Sequence, residues 1–290
     1  MAHNVLHLER GSRTWPDLLT RIDAPPDELW LRGRTEWLAG EHKVAIVGTR
    51  APTSYGEAQA RRFARALAES GVVVVSGLAR GIDAAAHEAA LDQGGATIAV
   101  LGCGVDRPWP GGPLAERVAR EGLLLSEHRP GEPPKKHHFP LRNRLISGLC
   151  RAVVVIEAAH ASGSLITARW AVDQDRAVFA LPGRVDHPMS RGCHRLLREG
   201  AQLVEDPDEV LAELGVTPKV LRAAPDHLEH DDEVLPAARE LLEALRGETL
   251  TPDELCERTR RSTAEVLTTL VQLEFAGRVA RGAGTLYRLV

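Results

Sequence analysis

A chain of 290 residues with 43% hydrophobic and 26% charged side chains has the material for a proper core, and its length suits two domains or one large and one small. A formal net charge of -4 excludes a protein that coats nucleic acid over its whole surface, but not a local basic groove. No apolar run approaches a membrane span, and the start lacks the apolar core of a signal peptide.

Residues 1–40 hold Trp15, Trp30 and Trp37 and a Pro25-Pro26 break, so they read as an ordered N-terminal cap segment rather than a disordered tail. From Lys43 the pattern becomes regular. Strands are predicted at VAIVG (44–48), VVVVSG (72–77), TIAVLG (97–102), LLLSE (123–127), AVVVIEA (152–158), VFALPG (178–183) and, briefly, 202–204. Helical spacing lies between them at 55–70, 82–93, 114–120, 141–149, 164–175, 194–199 and 208–214. Strands without polar alternation, separated by amphipathic helices, call for a parallel sheet covered on both faces. Residues 41–215 are thus expected to form an α/β, extended Rossmann-like, doubly wound domain, with its ligand beyond the strand C-termini at the switch point.

Residues 216–232 lose the periodicity and turn acidic, which marks a linker. Beyond it, helices at 235–245, 252–260 and 263–275 and a β-hairpin around Gly277, Val279, Gly282, Gly284, Tyr287 and Leu289 predict a small winged-helix domain over 233–290. Its eight arginines face nine acids, and the third helix has two acids and no base. That is too neutral for a strong phosphate-binding surface, so a protein contact fits this domain at least as well as DNA.

The chemistry concentrates between Lys135 and Trp170. From 129 to 151 the bases are Arg129, Lys135, Lys136, Arg142, Arg144 and Arg151, against Glu132 alone. Such a run is commonly a solvated face. Here Phe139 and Pro140 interrupt it and Asn143 sits between two arginines. Guanidinium groups grip phosphate oxygens while an aromatic face stacks bases regardless of sequence, which suits nucleic acid. Ser162-Gly163-Ser164 then joins a buried strand to a helix, a turn whose backbone N–H groups favour anions.

Other motifs carry less. Gly102-Cys103-Gly104 lacks the third glycine of a dinucleotide fingerprint, since position 107 is Arg, and no P-loop occurs. Gly77 and Gly81 in SGLARGIDAAAH suit either close helix–strand packing or a phosphate. Asp83 and His87, at i and i+4, read as a structural pair before a catalytic one. Cys103, Cys150, Cys193 and Cys256 form no CxxC pair, which points to reduced thiols in a cytoplasmic protein. Cys193 and His194, adjacent on a helix, point apart, so no metal and no cofactor is expected.

VAIVGTRAPTSYG, VSGLARGIDAAAH, TIAVLGCGVDRPWP, LLSEHRPGEPP, FPLRNRLISGL and SGSLITARWA, in this order, resemble the DNA-processing protein A (DprA/Smf) family. The resemblance covers about residues 14–206 and, more weakly, the C-terminal winged helix. It implies a non-enzymatic bacterial protein of natural transformation that binds single-stranded DNA and helps load the RecA recombinase on strands covered by single-strand-binding protein. It also implies a homodimer. Carried over by motif, Arg50, Phe139, Arg142, Asn143 and Arg144 are expected DNA contacts. Gly48, Gly77, Arg80, Ser162, Gly163, Ser164 and Thr167 would line the same pocket. Many members have an N-terminal helical domain for which this chain has too few residues ahead of the sheet. On this reading Arg142→Ala weakens strand binding and lowers its salt dependence.

The enzymatic alternative rests on the sheet's likeness to lysine-decarboxylase-like nucleoside monophosphate hydrolases. Their PGGxGT turn and its glutamate have no counterpart here, and Glu157 is the one substitute. A duplex-reading transcription factor fits poorly with the neutral third helix.

Overall fold

Unbroken apolar runs bury both sides of a strand, and the chain's centre is built on that rule. In the computed structural model, which describes residues 5–40, 42–218, 236–275, 278–282 and 285–289, the contacts divide the chain into two units, Met1–Lys219 and Val220–Val290.

The first unit runs β1 (Leu6–Glu9), α1 (Asp17–Thr20), β2 (Glu28–Gly33), β3 (Lys43–Val47), α2 (Ser54–Glu69), β4 (Val73–Ser76), α3 (Ile82–Asp92), β5 (Thr97–Val100), α4 (Pro113–Glu121) and β6 (Leu123–Ser126). It continues through α5 (His138–Gly148), β7 (Ala152–Val155), α6 (Ser164–Asp173), β8 (Ala177–Ala180), α7 (Arg191–Arg198), β9 (Gln202–Leu203) and α8 (Pro207–Glu213). The strands form one sheet in the order β1-β2-β6-β5-β4-β3-β7-β8-β9. From β6 to β9 every pairing is parallel, and β3 sits where the order reverses, between β4 and β7. The switch point is therefore at the C-terminal ends of β3 and β7.

Alternate residues of these strands feed two cores. Val44, Ile46, Val74, Ala152 and Val154 pack with Phe63 and Leu67 of α2 and Ile82 and Ala86 of α3. Ala45, Val47, Val75, Val153 and Val155 pack on the other face with Leu145 and Ile146 of α5 and Ala168 and Ala171 of α6. The period-2 geometry of a strand thus splits one apolar run between two helical layers.

Within residues 5–40, two strands extend the sheet rather than lie over it. β2 pairs antiparallel with β6, and β1 with β2. Trp15, Leu19 and Ile22, between these strands, enter the core shared with α5. Gly148 of α5 permits the approach, since a Cβ there would come to 3.0 Å of Leu19 and 3.1 Å of Ile22.

The second unit contains α9 (Pro236–Ala244), α10 (Pro252–Thr259), α11 (Thr263–Phe275) and an antiparallel hairpin of β10 (Val279–Arg281) and β11 (Tyr287–Leu289). Leu241, Leu255, Val266, Leu270 and Val279 form its core. Three helices and a wing make this a winged-helix domain. A bridge between Leu250 and Tyr287 ties the wing to the segment before α10. Most of the predicted linker (219–232), Leu235 and two expected wing glycines, Gly277 and Gly284, lie outside the described residues. No helix among the described residues is long and apolar enough to cross a membrane.

Candidate nucleic-acid interface

The turns after β3, β4, β5 and β7 all open on the same sheet edge, and short-range packing locks them together. Thr49 N–H donates to the Glu157 carbonyl (2.8 Å), and Ile82 N–H to the Thr49 carbonyl (3.2 Å). Gly48 sits against Ile82 and Glu157, where a Cβ would come to 2.6 Å of the Ile82 side chain. Gly81, at φ +82°, lies on the backbone of Thr49 and Arg50, which no side chain would permit. This contact brings Arg50 and Arg80, both exposed, to one place; among the described residues neither has an ion-pair partner.

α5 supplies the next part. Phe139, half-buried, rests over Gly102 at the end of β5, where a Cβ would come to 3.2 Å of its ring. Beside it, the His138 ring donates from Nδ1 to the Gly102 carbonyl (3.0 Å) and stacks on His128. Asn143 donates from Nδ2 to the Gly163 carbonyl (3.2 Å), which ties α5 to the Ser162–Ser164 turn. In that turn Gly163 faces open space, and the Ser162 and Ser164 hydroxyls meet at 2.7 Å. Thr167, one turn further along α6, is buried.

Two of the expected arginines do something else. Arg142 is only 4% exposed, and its Nη1 donates to the Val100 carbonyl (2.7 Å). The guanidinium lies directly over Gly77, whose missing Cβ is the space it fills. Burial lowers the Arg142 pKa to about 10, with Asp83 pulling the other way and Arg50 adding to the decrease. A strand on the surface cannot reach this group, so the expected phosphate contact by Arg142 is corrected to a strut beneath the site. Arg144 is likewise committed. Its Nη1 and Nη2 donate to the two Glu127 oxygens (2.8 and 2.6 Å), and its Nε to the Ala24 carbonyl (3.1 Å). A bidentate pair of this kind uses the fork that phosphate would need. Arg144 fastens α5 to the end of β6 and to the N-terminal segment.

Acids have also filled anion sites that sequence reasoning left open. Glu157 accepts from the Thr53 N–H (2.9 Å) and the Thr53 hydroxyl (2.6 Å), at the N-terminus of α2. Gly56 leaves room for this carboxylate. Asp83 accepts from the N–H groups of Gly77 (3.1 Å) and Ala79 (3.4 Å), so the turn after β4 offers no free N–H at Gly77 for a phosphate. Burial raises the Asp83 pKa, against the pull of Arg142. A nucleotide phosphate would ordinarily bind at these two turns beside the switch point. Here a carboxylate from the chain itself stands in each. Glu157 is buried and engaged at the N-terminus of α2. The signal was present in sequence: an acid closing a buried strand, and another in the first turn of a helix.

Asp83 and His87 are both buried, inside the core rather than on an outer helix face. Cys193 directs its thiol at the Val155 and Ile156 carbonyls, while His194 bonds the Gly183 carbonyl, so the two diverge.

Comparison with known proteins gives the family. A family model described as DNA recombination-mediator protein A matches residues 7–215. The chain belongs to that family. A second model, the DprA winged helix domain, matches residues 223–285. Among family relatives, Protein Smf of Escherichia coli (strain K12) is 42% identical over 281 residues, covering 94% of this chain and 74% of that protein. The DNA processing protein DprA of Streptococcus pneumoniae is 47% identical over 201 residues, covering 69% of this chain and 71% of that one. The solved S. pneumoniae DprA superposes with TM-score 0.69 at 44% identity over 72% of this chain and 74% of that one. The Helicobacter pylori DNA processing protein A, solved for its single-stranded DNA binding mode, gives 0.66 at 34% identity, covering 73% of this chain and 96% of that one.

Proposed function

We propose that this protein binds single-stranded DNA along the C-terminal edge of its sheet and acts in natural transformation as a recombination mediator without turnover. The observation that carries the reading is the division of labour at the switch point. Glu157 and Asp83 occupy the mononucleotide-type anion sites, while Arg50 and Arg80 remain outside them, exposed on the sheet edge that also carries Phe139. That arrangement suits a polymer laid across the edge better than a nucleotide held in a closed pocket. The Ser162–Ser164 turn, joined to α5 through Asn143, would hold a further phosphate. The single-stranded DNA binding of the H. pylori relative supports the same choice.

On this reading the partners are an unpaired strand, the RecA recombinase to which it is passed, and single-strand-binding protein on the same DNA, all in the cytoplasm. The protein would work as a homodimer. The outer edge of the sheet at β9, where Leu203 is 51% exposed, offers a second copy a strand to pair with. The test is competition: with labelled oligo-dT bound to the full chain, unlabelled single strand should displace it at far lower concentration than duplex of equal length. Equal displacement by duplex would contradict the reading.

A further inference from the structure

Trp109 is an exposed aromatic side chain, at 57%. An indole in water is an unusual use of the largest apolar side chain, and it marks a contact surface when the backbone beneath it is fixed. The backbone here is fixed. The loop from 101 to 112 leaves β5 with Cys103 and Val105 fully buried. The Cys103 thiol donates to the Arg107 carbonyl (3.2 Å). Gly104 N–H donates to the Glu132 carbonyl (2.9 Å), and Gly131 N–H to the Asp106 carboxylate (2.8 and 3.0 Å). Pro108 and Pro110, on either side of the tryptophan, restrict its φ neighbours further. The loop is strapped to the segment that leads into α5, and the indole stands out from it.

The position of that loop says what the indole is for. Its root, Gly102, is the residue on which Phe139 rests. Its strap, 128–137, carries the exposed Lys135, Lys136 and His137. Arg107, two residues before the tryptophan, is exposed, while Asp106 is taken up by Gly131. One strapped loop thus meets Phe139 at its root and carries Trp109 outward, with Arg107 and Lys136 exposed on the same two segments and Lys135 paired to Glu132.

We propose that Trp109 is a stacking platform for a nucleobase of the bound single strand, extending the track from Phe139 over the end of β5. This inference rests on the single-strand reading above. Every base has a π-face, so the contact is indifferent to sequence and, unlike the arginine contacts, indifferent to salt.

The full chain, titrated against labelled oligo-dT, decides it. Trp109→Ala should weaken binding about fivefold or more with an unchanged salt slope, since stacking is worth roughly 1–3 kcal/mol per base, and Trp109→Phe should recover most of the loss. On an abasic strand of equal length, wild type and Trp109→Ala should bind alike. Wild-type affinity for oligo-dT in Trp109→Ala, with Arg50→Ala weakened alongside, would overturn the stacking role and leave the strand-binding site intact. A lighter mass in solution for Trp109→Ala with unchanged DNA binding would assign the indole to a contact between copies and overturn it as well. Failure of the wild type to bind oligo-dT would defeat the underlying reading instead.

Discussion

Arg142 shows how far a motif can mislead about the job of one residue. FPLRNR places two arginines and an asparagine around an aromatic, a composition that says phosphate. The chain folds so that the first arginine goes inward over Gly77 and the second clamps Glu127. Composition cannot tell these apart, because the guanidinium fork serves carboxylate, carbonyl and phosphate equally. What decides is whether an acid or a glycine gap lies opposite, and these come from Asp83, Gly77 and Glu127, far away in sequence. Arg142→Ala should therefore act first on stability. Removing the buried cation leaves the buried Asp83 without its counter-charge, at a cost on the order of 3 kcal/mol. Urea unfolding of the purified variant should show a lowered midpoint; an unchanged midpoint with weakened DNA binding would restore Arg142 as a direct contact.

At the scale of elements the apolar runs were the readable part. Every strand from β3 to β8 overlaps its predicted run, with β3 and β8 each starting one residue earlier, because burial on both faces leaves a clear signature. The N-terminal segment was harder to read. β2 is a half-buried strand, β1 is largely exposed, and the tryptophans suggested order without showing where it attaches. Pairing to β6, nearly a hundred residues on, has no local sequence signal. α3 illustrates a further consequence of burial. Its His87 Nδ1 lies 2.7 Å from the Thr97 hydroxyl, which itself donates to the Val74 carbonyl, so Nδ1 carries the proton and Nε2 is left buried without a partner. Burial, with a smaller contribution from Arg142, lowers this histidine from 6.5 to about 3. The unfolded chain then binds a proton that the native state refuses. Stability from this group is whole above about pH 6.5 and is lost as pH falls toward 3, while Asp83, whose pKa is raised, acts in the opposite sense. Comparison of wild type with His87→Gln in urea between pH 7 and 4 isolates it. Wild type should lose stability faster on acidification, by up to about 1.4 kcal/mol per pH unit; parallel curves would refute the assignment.

For the molecule as a whole, the parallel sheet and its ordered turns place every glycine-rich motif on one edge, and that much was legible from strands ending in Gly48, Gly77, Gly102 and the Ser162–Ser164 turn. What the sequence left hidden was which of those turns stay open. Acids from the segment after β7 and from α3 close two of them, while Arg50 and Arg80 stay exposed. The winged helix belongs to a second unit, and its near-neutral composition argues against gripping phosphate.

The central claim is that exposed guanidinium groups at the switch-point edge neutralise phosphates of an unpaired strand. The slope of log affinity against log salt for oligo-dT tests it most directly, measured on the full chain and on Arg50→Ala and Arg80→Ala. Each substitution should flatten the slope by about 0.7, the counterion release expected per phosphate on a single strand. Slopes equal to wild type in both variants would contradict the account.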